Sequence, residues 1–126
     1  MIVIDASVLA PALGDDGEDG DRARARLHGQ SLAAPELIDL EVMAVWRRLL
    51  DDDRRARLAI TDLDEIPLTR CPHAPLIARC WELRDNVSPY DAAYVALAEA
   101  LDVPLLTIDA RLGRANGVRC EVETLA

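Results

Sequence analysis

The sequence predicts an α/β fold in which helices cover both faces of a central, mainly parallel sheet. Short apolar runs rich in β-branched residues alternate along the chain with longer segments of helical periodicity, as strands and crossover helices do in such sheets. The chain has 126 residues, 51% of them hydrophobic, a usual size and composition for one globular domain. No internal repeat, low-complexity segment or linker divides the sequence, so we expect a single domain over residues 1–126.

The first strand and helix are predicted at the start of the chain. Residues 2–5 begin with the continuous β-branched run IVI, which is typical of a short buried strand. The following segment predicts a short helix interrupted by Pro11 and then a polar, glycine-rich loop over residues 14–21. This loop is acidic, but its glycines stand where an EF-hand would place calcium ligands, so we expect a solvated loop.

The later elements continue the alternation. Pro35 suits the first turn of a helix, because its missing N–H needs no partner there, and Ser88 followed by Pro89 is a strong helix start. The expected strands are 2–5, 32–34, 66–70, 103–108 and 119–123. The expected helices are 6–13, 21–29, one from Pro35 through Leu49, 54–65, 74–86, one that begins at Ser88, and 110–115.

The charged residues exclude several functions. The basic side chains are all arginine, so the chain can form neither a P-loop with its lysine nor a lysine Schiff base. The net charge of −9 argues against binding of nucleic acid or an acidic membrane surface by overall charge. No apolar run approaches the roughly 20 residues of a membrane span, and the N-terminus lacks the features of a signal peptide, so we expect a cytoplasmic protein.

Three cysteines, Cys71, Cys80 and Cys120, do not form a pattern typical of a disulfide framework. His73 lies between the first two, and a zinc site in the segment CPHAPLIARC is one interpretation, although the close pair of a CxxC knuckle is missing. The simpler interpretation is that Cys80 and Cys120 are small buried side chains. No role is therefore assigned to the cysteines.

Four acidic residues stand where interior side chains are expected. Asp5 and Asp109 each follow an apolar strand directly, and the carboxyl ends of parallel strands meet at one edge of the sheet, where α/β folds place their sites. Glu41 lies on the apolar face of its helix, and Asp91 lies three residues after Ser88 with an apolar face beyond it. An ionised carboxylate in such a place is costly unless it is paired or binds a metal.

Each acid also has a structural explanation. Asp5 and Asp109 could cap the helices that follow them. Asp91 could belong to a capping box with Ser88, and Glu41 could pair with a buried arginine.

One divalent-cation site would explain all four acids together. Mg²⁺ and Mn²⁺ prefer oxygen ligands, and a cluster of four carboxylates would repel itself without a metal. The hydroxyls of Ser7 and Thr107 lie two residues from Asp5 and Asp109, respectively. We expect these hydroxyls to steady the ligands or a water molecule.

At these residues the sequence resembles the PIN-domain nucleases, and among them the VapC toxins of bacterial VapBC toxin–antitoxin pairs. Four segments carry the resemblance, in order and over nearly the whole chain: IVIDASVLAPAL, APELIDLEVMAVWRRL, SPYDAAYVALAEAL and VPLLTIDARL. They contain Asp5, Glu41, Asp91 and Asp109 in turn, and the last also contains Thr107.

The resemblance implies a three-layer α/β/α sandwich and a ribonuclease that depends on Mg²⁺ or Mn²⁺. Such an enzyme cuts RNA by in-line attack of a metal-activated water and leaves 5′-phosphate and 3′-hydroxyl ends. Asp5 and Asp91 would be direct metal ligands, whereas Glu41 and Asp109 would bind a second ion or ligate through water. The resemblance further implies a homodimer, neutralised by a VapB antitoxin whose C-terminal segment covers the active site.

Substrate binding in so acidic a chain must depend on local arginines. Arg111 and Arg114, just past Asp109, are the candidates for contacts with RNA phosphates. Trp46 shares a helix with Glu41 and is a candidate for a dimer or antitoxin surface. The alternative function is a non-catalytic PIN-like scaffold or RNA-binding protein whose acids are structural.

Overall fold

The computed structural model describes residues 1–125, in which strands and helices alternate. The strands are β1 (Ile2–Ile4), β2 (Leu32–Pro35), β3 (Leu68–Cys71), β4 (Leu105–Thr107) and β5 (Val122–Thr124). The α-helices are α1 (Ala6–Gly14), α2 (Glu18–Leu27), α3 (Ile38–Leu49), α4 (Asp53–Glu65), α5 (Ile77–Glu82) and α6 (Pro89–Leu101). Short 3₁₀ turns span Ala74–Leu76 and Leu112–Arg114. Among the described residues, no helix combines the length and apolar character that crossing a membrane requires.

The strands form one parallel sheet in the order β3-β2-β1-β4-β5. Val3 of β1 lies beside Ala33 of β2 on one side and beside Leu105 of β4 on the other. The chain moves outward from β1 through β2 to β3, and then returns to β4 on the other side of β1. Right-handed crossovers that run in opposite directions place their helices on opposite faces of a sheet. The α/β fold with a parallel sheet is therefore confirmed.

The helices form one layer on each face of the sheet. α1 packs against α2, α3, α4 and β4, whereas α6 packs against α5 and against β1, β2 and β4. Residues 92–98 of α6 are all buried, and the alanines among them let the helix lie close to the sheet. In β1, Val3 and Ile4 are fully buried. The three-layer α/β/α sandwich is thus observed, with β1 at its centre.

The boundary between β2 and α3 differs from the prediction. Pro35, expected in the first turn of a helix, instead ends β2 beside Cys71 of β3. A proline is tolerated at a strand end because the ladder no longer needs its N–H. The next residue, Glu36, continues the pairing by donating its backbone N–H to the Cys71 carbonyl at 2.9 Å. Consequently α3 begins only at Ile38.

The acidic loop predicted over residues 14–21 is shorter than expected. α1 continues through Pro11 without interruption, because its packing against three other helices compensates for the one missing backbone hydrogen bond. α2 already begins at Glu18, and its first turn contains three acidic residues. Negative charge there interacts favourably with the positive end of the helix dipole, so these acids stabilise a helix start.

The other boundaries shift by a few residues. The strands predicted at 66–70, 103–108 and 119–123 correspond to the shorter or displaced β3, β4 and β5. The helix predicted over 74–86 is a 3₁₀ turn followed by the short α5, and that predicted over 110–115 is a single 3₁₀ turn. The helix start at Ser88 is confirmed, since its side chain accepts a hydrogen bond from the Asp91 N–H at 3.2 Å.

A substitution at Gly20 tests the packing of α2 onto the end of α1. A Cβ at this position would overlap the Asp15 carbonyl group, so Gly20→Ala is expected to lower the free energy of unfolding by about 1–3 kcal/mol. Gly113→Ala is the matched control, because its Cβ would lie 3.5 Å from the Val122 Cβ, an ordinary contact. Urea unfolding of both variants measures the difference, and equal stabilities would contradict the close approach.

Candidate active site

The strand-end acids meet at the carboxyl edge of the sheet, between β1 and β4. The chain leaves these neighbouring strands in opposite directions, towards β2 and β5, and such a switch point opens a crevice at the carboxyl ends of the strands. Asp5 follows β1 directly and Thr107 ends β4. Asp5 donates its backbone N–H to the Leu106 carbonyl at 3.0 Å, which fixes its position against β4.

The Asp5 carboxylate is oriented by two hydroxyl groups. Its Oδ2 atom accepts hydrogen bonds from Thr107 Oγ1 at 2.7 Å and from Ser7 Oγ at 3.0 Å. Those hydroxyls accept in turn from the backbone N–H groups of Asp109, at 3.1 Å, and Ile108, at 3.2 Å. Asp5 is only 9% exposed, and within residues 1–125 no group donates to its Oδ1 atom. One oxygen is therefore held and the other remains available.

The structure also shows whether the Asp5 side chain caps α1. Asp5 occupies the N-cap position of α1, but its side chain makes no capping hydrogen bond. Its carboxylate is directed to Ser7 and Thr107 instead. A helix cap therefore does not explain this acid.

Glu41 is partly buried and is held by Tyr94. The Tyr94 hydroxyl, on a side chain that is 1% exposed, donates to Glu41 Oε1 at 2.6 Å. Burial raises the pKa of Glu41, the Tyr94 hydrogen bond partly offsets this, and the charges of Asp5 and Asp91 raise it further. The alternative explanation of Glu41, a pair with a buried arginine, is not observed among the described ion pairs. The partner of Glu41 is a tyrosine instead.

Asp91 belongs to the same electrostatic cluster. Burial raises the pKa of Asp91, and the charges of Asp5 and Asp109 raise it further, while Ser88 and Arg111 act in the opposite direction. Ser88 does cap this helix, because its hydroxyl accepts a hydrogen bond from the backbone N–H of Asp91. The carboxyl group is nevertheless close enough to two other acids to be destabilised by them.

Asp109 differs from the other acids because an arginine neutralises it. Arg111 donates to Asp109 Oδ1 from its backbone N–H at 3.0 Å and from Nε at 3.1 Å, and to Oδ2 from Nη2 at 3.2 Å. These bonds, with the charge of Arg114, lower the pKa of Asp109. The Arg111 side chain is 86% exposed. The candidate substrate-binding arginine thus contacts an acid of the site.

The four acids offer carboxylate oxygens, which are suitable ligands for a hard divalent cation. One carboxylate oxygen of Asp5 and one of Glu41 have no hydrogen-bond donor in the described residues. Burial raises the pKa values of Glu41 and Asp91, and the charge of Asp5 raises both further. Carboxylate oxygens are the ligands that Mg²⁺ and Mn²⁺ prefer. Over residues 1–125, however, no three His, Cys, Asp or Glu side chains are already grouped tightly enough to hold an ion.

The zinc interpretation of the cysteine segment is not supported, because its Cys and His side chains do not form a group of three potential ligands within residues 1–125. His73 Nε2 accepts the backbone N–H of Leu37 at 3.1 Å, and its Nδ1 lies 3.4 Å from Glu36 Oε1. The ring therefore connects the start of α3 to the segment that follows β3. Cys71, Cys80 and Cys120 are free thiols of intermediate burial.

Trp46 lies in the core, so it does not provide the dimer or antitoxin surface for which it was a candidate. It is 5% exposed, and its Nε1 donates to the Ala10 carbonyl of α1 at 3.0 Å. The exposed tryptophan is Trp81, at 67%, with the Arg84 guanidinium 4.6 Å above its ring. The spacing of apolar residues in α3 did not show which side faces α1.

Tyr94 was not assigned to the site from the sequence. One signal could have identified it, namely its spacing of three residues from Asp91, which puts both side chains on one face of α6. That face is directed towards Glu41.

The raised pKa values predict that neutralising Glu41 stabilises the metal-free protein. Because Glu41 and Asp91 lose protons less readily in the folded state, folding stability falls as the pH rises through their folded-state pKa values. Glu41→Gln keeps an acceptor for Tyr94 and removes one charge. Urea unfolding in EDTA should show this variant more stable than the wild type at about pH 8, with the difference vanishing near pH 4.

Glu65→Gln, at an exposed position at the end of α4, is the control for that experiment. It should show no comparable pH-dependent gain. A Glu41→Gln variant that is less stable than the wild type at alkaline pH would contradict the electrostatic interpretation.

Comparisons with known proteins identify the family of this chain. The PIN domain family profile matches residues 2–118. Ribonuclease VapC1 from Mycobacterium tuberculosis is 44% identical over 126 residues, covering 96% of this chain and 95% of that protein.

Solved structures share the fold at lower identity. VapC20 of Mycobacterium tuberculosis, described as a sarcin–ricin loop cleaving toxin, superposes with a TM-score of 0.75 at 16% identity, covering 94% of this chain and 97% of that chain. A toxin–antitoxin complex from Klebsiella pneumoniae gives a TM-score of 0.71 at 20% identity, covering 100% and 98%. The chain belongs to the VapC family of PIN-domain ribonucleases.

Proposed function

We propose that this chain is the toxin of a type II toxin–antitoxin pair and acts as a metal-dependent endoribonuclease. Curated relatives at 36–44% identity are named as ribonucleases. The observation that carries the proposal is the arrangement at Asp5, whose Oδ2 is held by two hydroxyls while Oδ1 has no donor within residues 1–125. This carboxylate lies at the edge of the sheet where α/β folds bind their ligands.

The four acids take different roles in this proposal. Asp5 and Asp91 are direct metal ligands, and Glu41 and Asp109 hold a second ion or ligate through water. Bound Mg²⁺ or Mn²⁺ would lower the pKa of the attacking water and stabilise charge on the phosphoryl oxygens. Hydrolysis would leave 5′-phosphate and 3′-hydroxyl ends.

The remaining polar groups of the site hold these acids in place. Ser7 and Thr107 orient Asp5 through its Oδ2 atom. The same hydroxyls tie the turn after β4, through Ile108 and Asp109, to the turn after β1. This support is rigid because Thr107 is fully buried.

The RNA substrate is bound by local positive charge. The net charge of −9 includes the four site acids, whose charge two divalent ions would offset. Arg111 is 86% exposed at the edge of the site, and Arg114 follows it in the 3₁₀ turn. In this proposal both arginines contact phosphates beside the scissile bond.

An antitoxin segment is the protein partner in this proposal. A groove of about 620 Å³ lies beside Ser7 and Ile108, with Pro11, Trp46 and Leu49 among its apolar lining residues. It could take an apolar segment of a VapB-type antitoxin, while a basic residue of that partner approaches the acids. Relatives of this fold include a toxin–antitoxin complex.

A homodimer is part of the same proposal. Ile77, Trp81 and Tyr90 are each more than 60% exposed, and they line one apolar groove of about 380 Å³. Large exposed apolar patches of this kind mark protein interfaces. This surface replaces Trp46 as the candidate dimer contact.

Cleavage of a cellular RNA pool tests the proposed function. The wild type should make discrete cuts with Mg²⁺ or Mn²⁺, none in EDTA, and the cut ends should carry 5′-phosphates. Asp5→Asn should reduce the rate by at least about 100-fold, because it removes a ligand charge. Sequencing of the cut ends identifies both the products and the target.

Asp102→Asn is the matched control for this substitution. Asp102 ends α6 with a φ of 54°, a left-handed conformation that asparagine tolerates well, and it is exposed. Cleavage by this variant should equal that of the wild type. If the pure wild-type protein bound RNA without cutting it in either metal, the non-catalytic alternative would replace the proposal.

Arg111→Ala tests the substrate contact. The variant should raise the KM for RNA and make binding less dependent on salt, by about one unit of the log–log slope, as expected for one lost phosphate contact. Arg57→Ala is the control, because Arg57 is exposed on α4, whose Arg55 contacts the opposite end of α1 at the Leu13 carbonyl. An unchanged KM and slope for Arg111→Ala would exclude this contact.

A further inference from the structure

A buried tyrosine hydroxyl connects two helices of the site. Tyr94 lies on α6 and donates to Glu41 Oε1 on α3 at 2.6 Å. Tyr94 is 1% exposed, so water cannot substitute for this partner. The hydroxyl therefore ties Glu41 on α3 to α6, the helix that carries Asp91.

Glu41 would be free to change its rotamer without such a partner. A glutamate side chain can rotate about several bonds, and fixing it in one orientation costs conformational entropy. The Tyr94 hydrogen bond holds Oε1, and no group within residues 1–125 donates to Oε2. Glu41 is thus left with one held and one available oxygen.

Asp5 shows the same arrangement on the other side of the crevice. Hydroxyl donors Ser7 and Thr107 occupy its Oδ2 atom, and its Oδ1 atom has no donor in the described part of the chain. Two acids from different elements are therefore each fixed through a single oxygen by hydroxyl groups. Such outer hydrogen bonds orient metal ligands and commonly change metal affinity by about 10–100-fold.

We propose that Tyr94 is a positioning residue of the metal site, whose hydroxyl fixes Glu41 so that Oε2 is presented to the cation. The inference rests on the proposed metal-dependent function and deepens it. Tyr94 touches neither metal nor RNA in this role and acts only through Glu41. A tyrosine with a purely structural role would contribute through the packing of its ring. Removal of the hydroxyl alone would leave that packing unchanged.

Tyr94→Phe separates these roles, because it removes the hydroxyl and keeps the buried ring. Mn²⁺ affinity, measured by calorimetric titration without RNA, should fall by about tenfold. Thr61→Val is the control: it also removes one side-chain hydroxyl, but from an exposed position on α4, so the Mn²⁺ affinity of this variant should equal that of the wild type. For RNA cleavage, Tyr94→Phe should lower kcat with little change in KM.

A second variant tests the same contact without altering Tyr94. Glu41→Asp shortens the side chain by one methylene and draws its carboxylate away from the hydroxyl. In this background Tyr94→Phe should change Mn²⁺ affinity less than twofold, because the contact is already lost. Circular dichroism of each variant establishes that it is folded.

Three results would overturn the inference. The first is Mn²⁺ binding by Tyr94→Phe as tight as that of the wild type. The second is an undiminished loss on Tyr94→Phe in the Glu41→Asp background, which would assign the effect to packing. The third is a wild type that binds no Mn²⁺, which would also remove the proposed metal-dependent function, whereas the first two leave that function intact.

Discussion

Carboxylates repel one another at one edge of the sheet, and the surrounding structure must hold them together against this repulsion. Burial raises the pKa values of Glu41 and Asp91, and the charge of Asp5 raises both further. Arg111 lowers the pKa of Asp109 through direct hydrogen bonds and acts on Asp91 through its charge alone. Carboxylates that repel one another stay together only when the scaffold holds them, and each is accordingly held by a different device: hydroxyls, a buried phenol, a helix start or a guanidinium.

The helices contribute to this scaffold at both ends. Asp5 stands at the N-terminus of α1 and Asp91 in the first turn of α6, where the positive ends of the helix dipoles favour negative charge. At the other end of α1, Arg24 donates to the Ala12 carbonyl and Arg55 to the Leu13 carbonyl. These arginines satisfy groups that a helix C-terminus leaves without partners. An arginine-rich chain without lysine is well suited to this, since the guanidinium bonds two acceptors at once.

The sequence predicts this fold well because the strands and their acids are local features. The parallel sheet, its buried first strand and the acids at strand ends follow from short patterns, and the structure confirms the sheet. The position of Pro35 depends on pairing with β3, and the burial of Trp46 depends on which side of α3 meets α1. The Tyr94–Glu41 contact joins residues that are 53 positions apart in the sequence. Sequence patterns of strands and helices relate only neighbouring residues, so they could not predict this contact.

The proposed metal site would depend mainly on the charge of its cation. The hydroxyls at Asp5 and Glu41 each take one oxygen and leave the other, so the orientation of the carboxylates is set before any ligand arrives. The cluster still lacks positive charge near Asp5 and Glu41, because Arg111 bonds Asp109 directly and reaches Asp91 only through its charge. A divalent metal and a basic side chain of a protein partner would relieve the same repulsion, and they would compete for the same oxygens. In the proposed toxin, catalysis and inhibition would therefore both depend on the excess of negative charge among these acids.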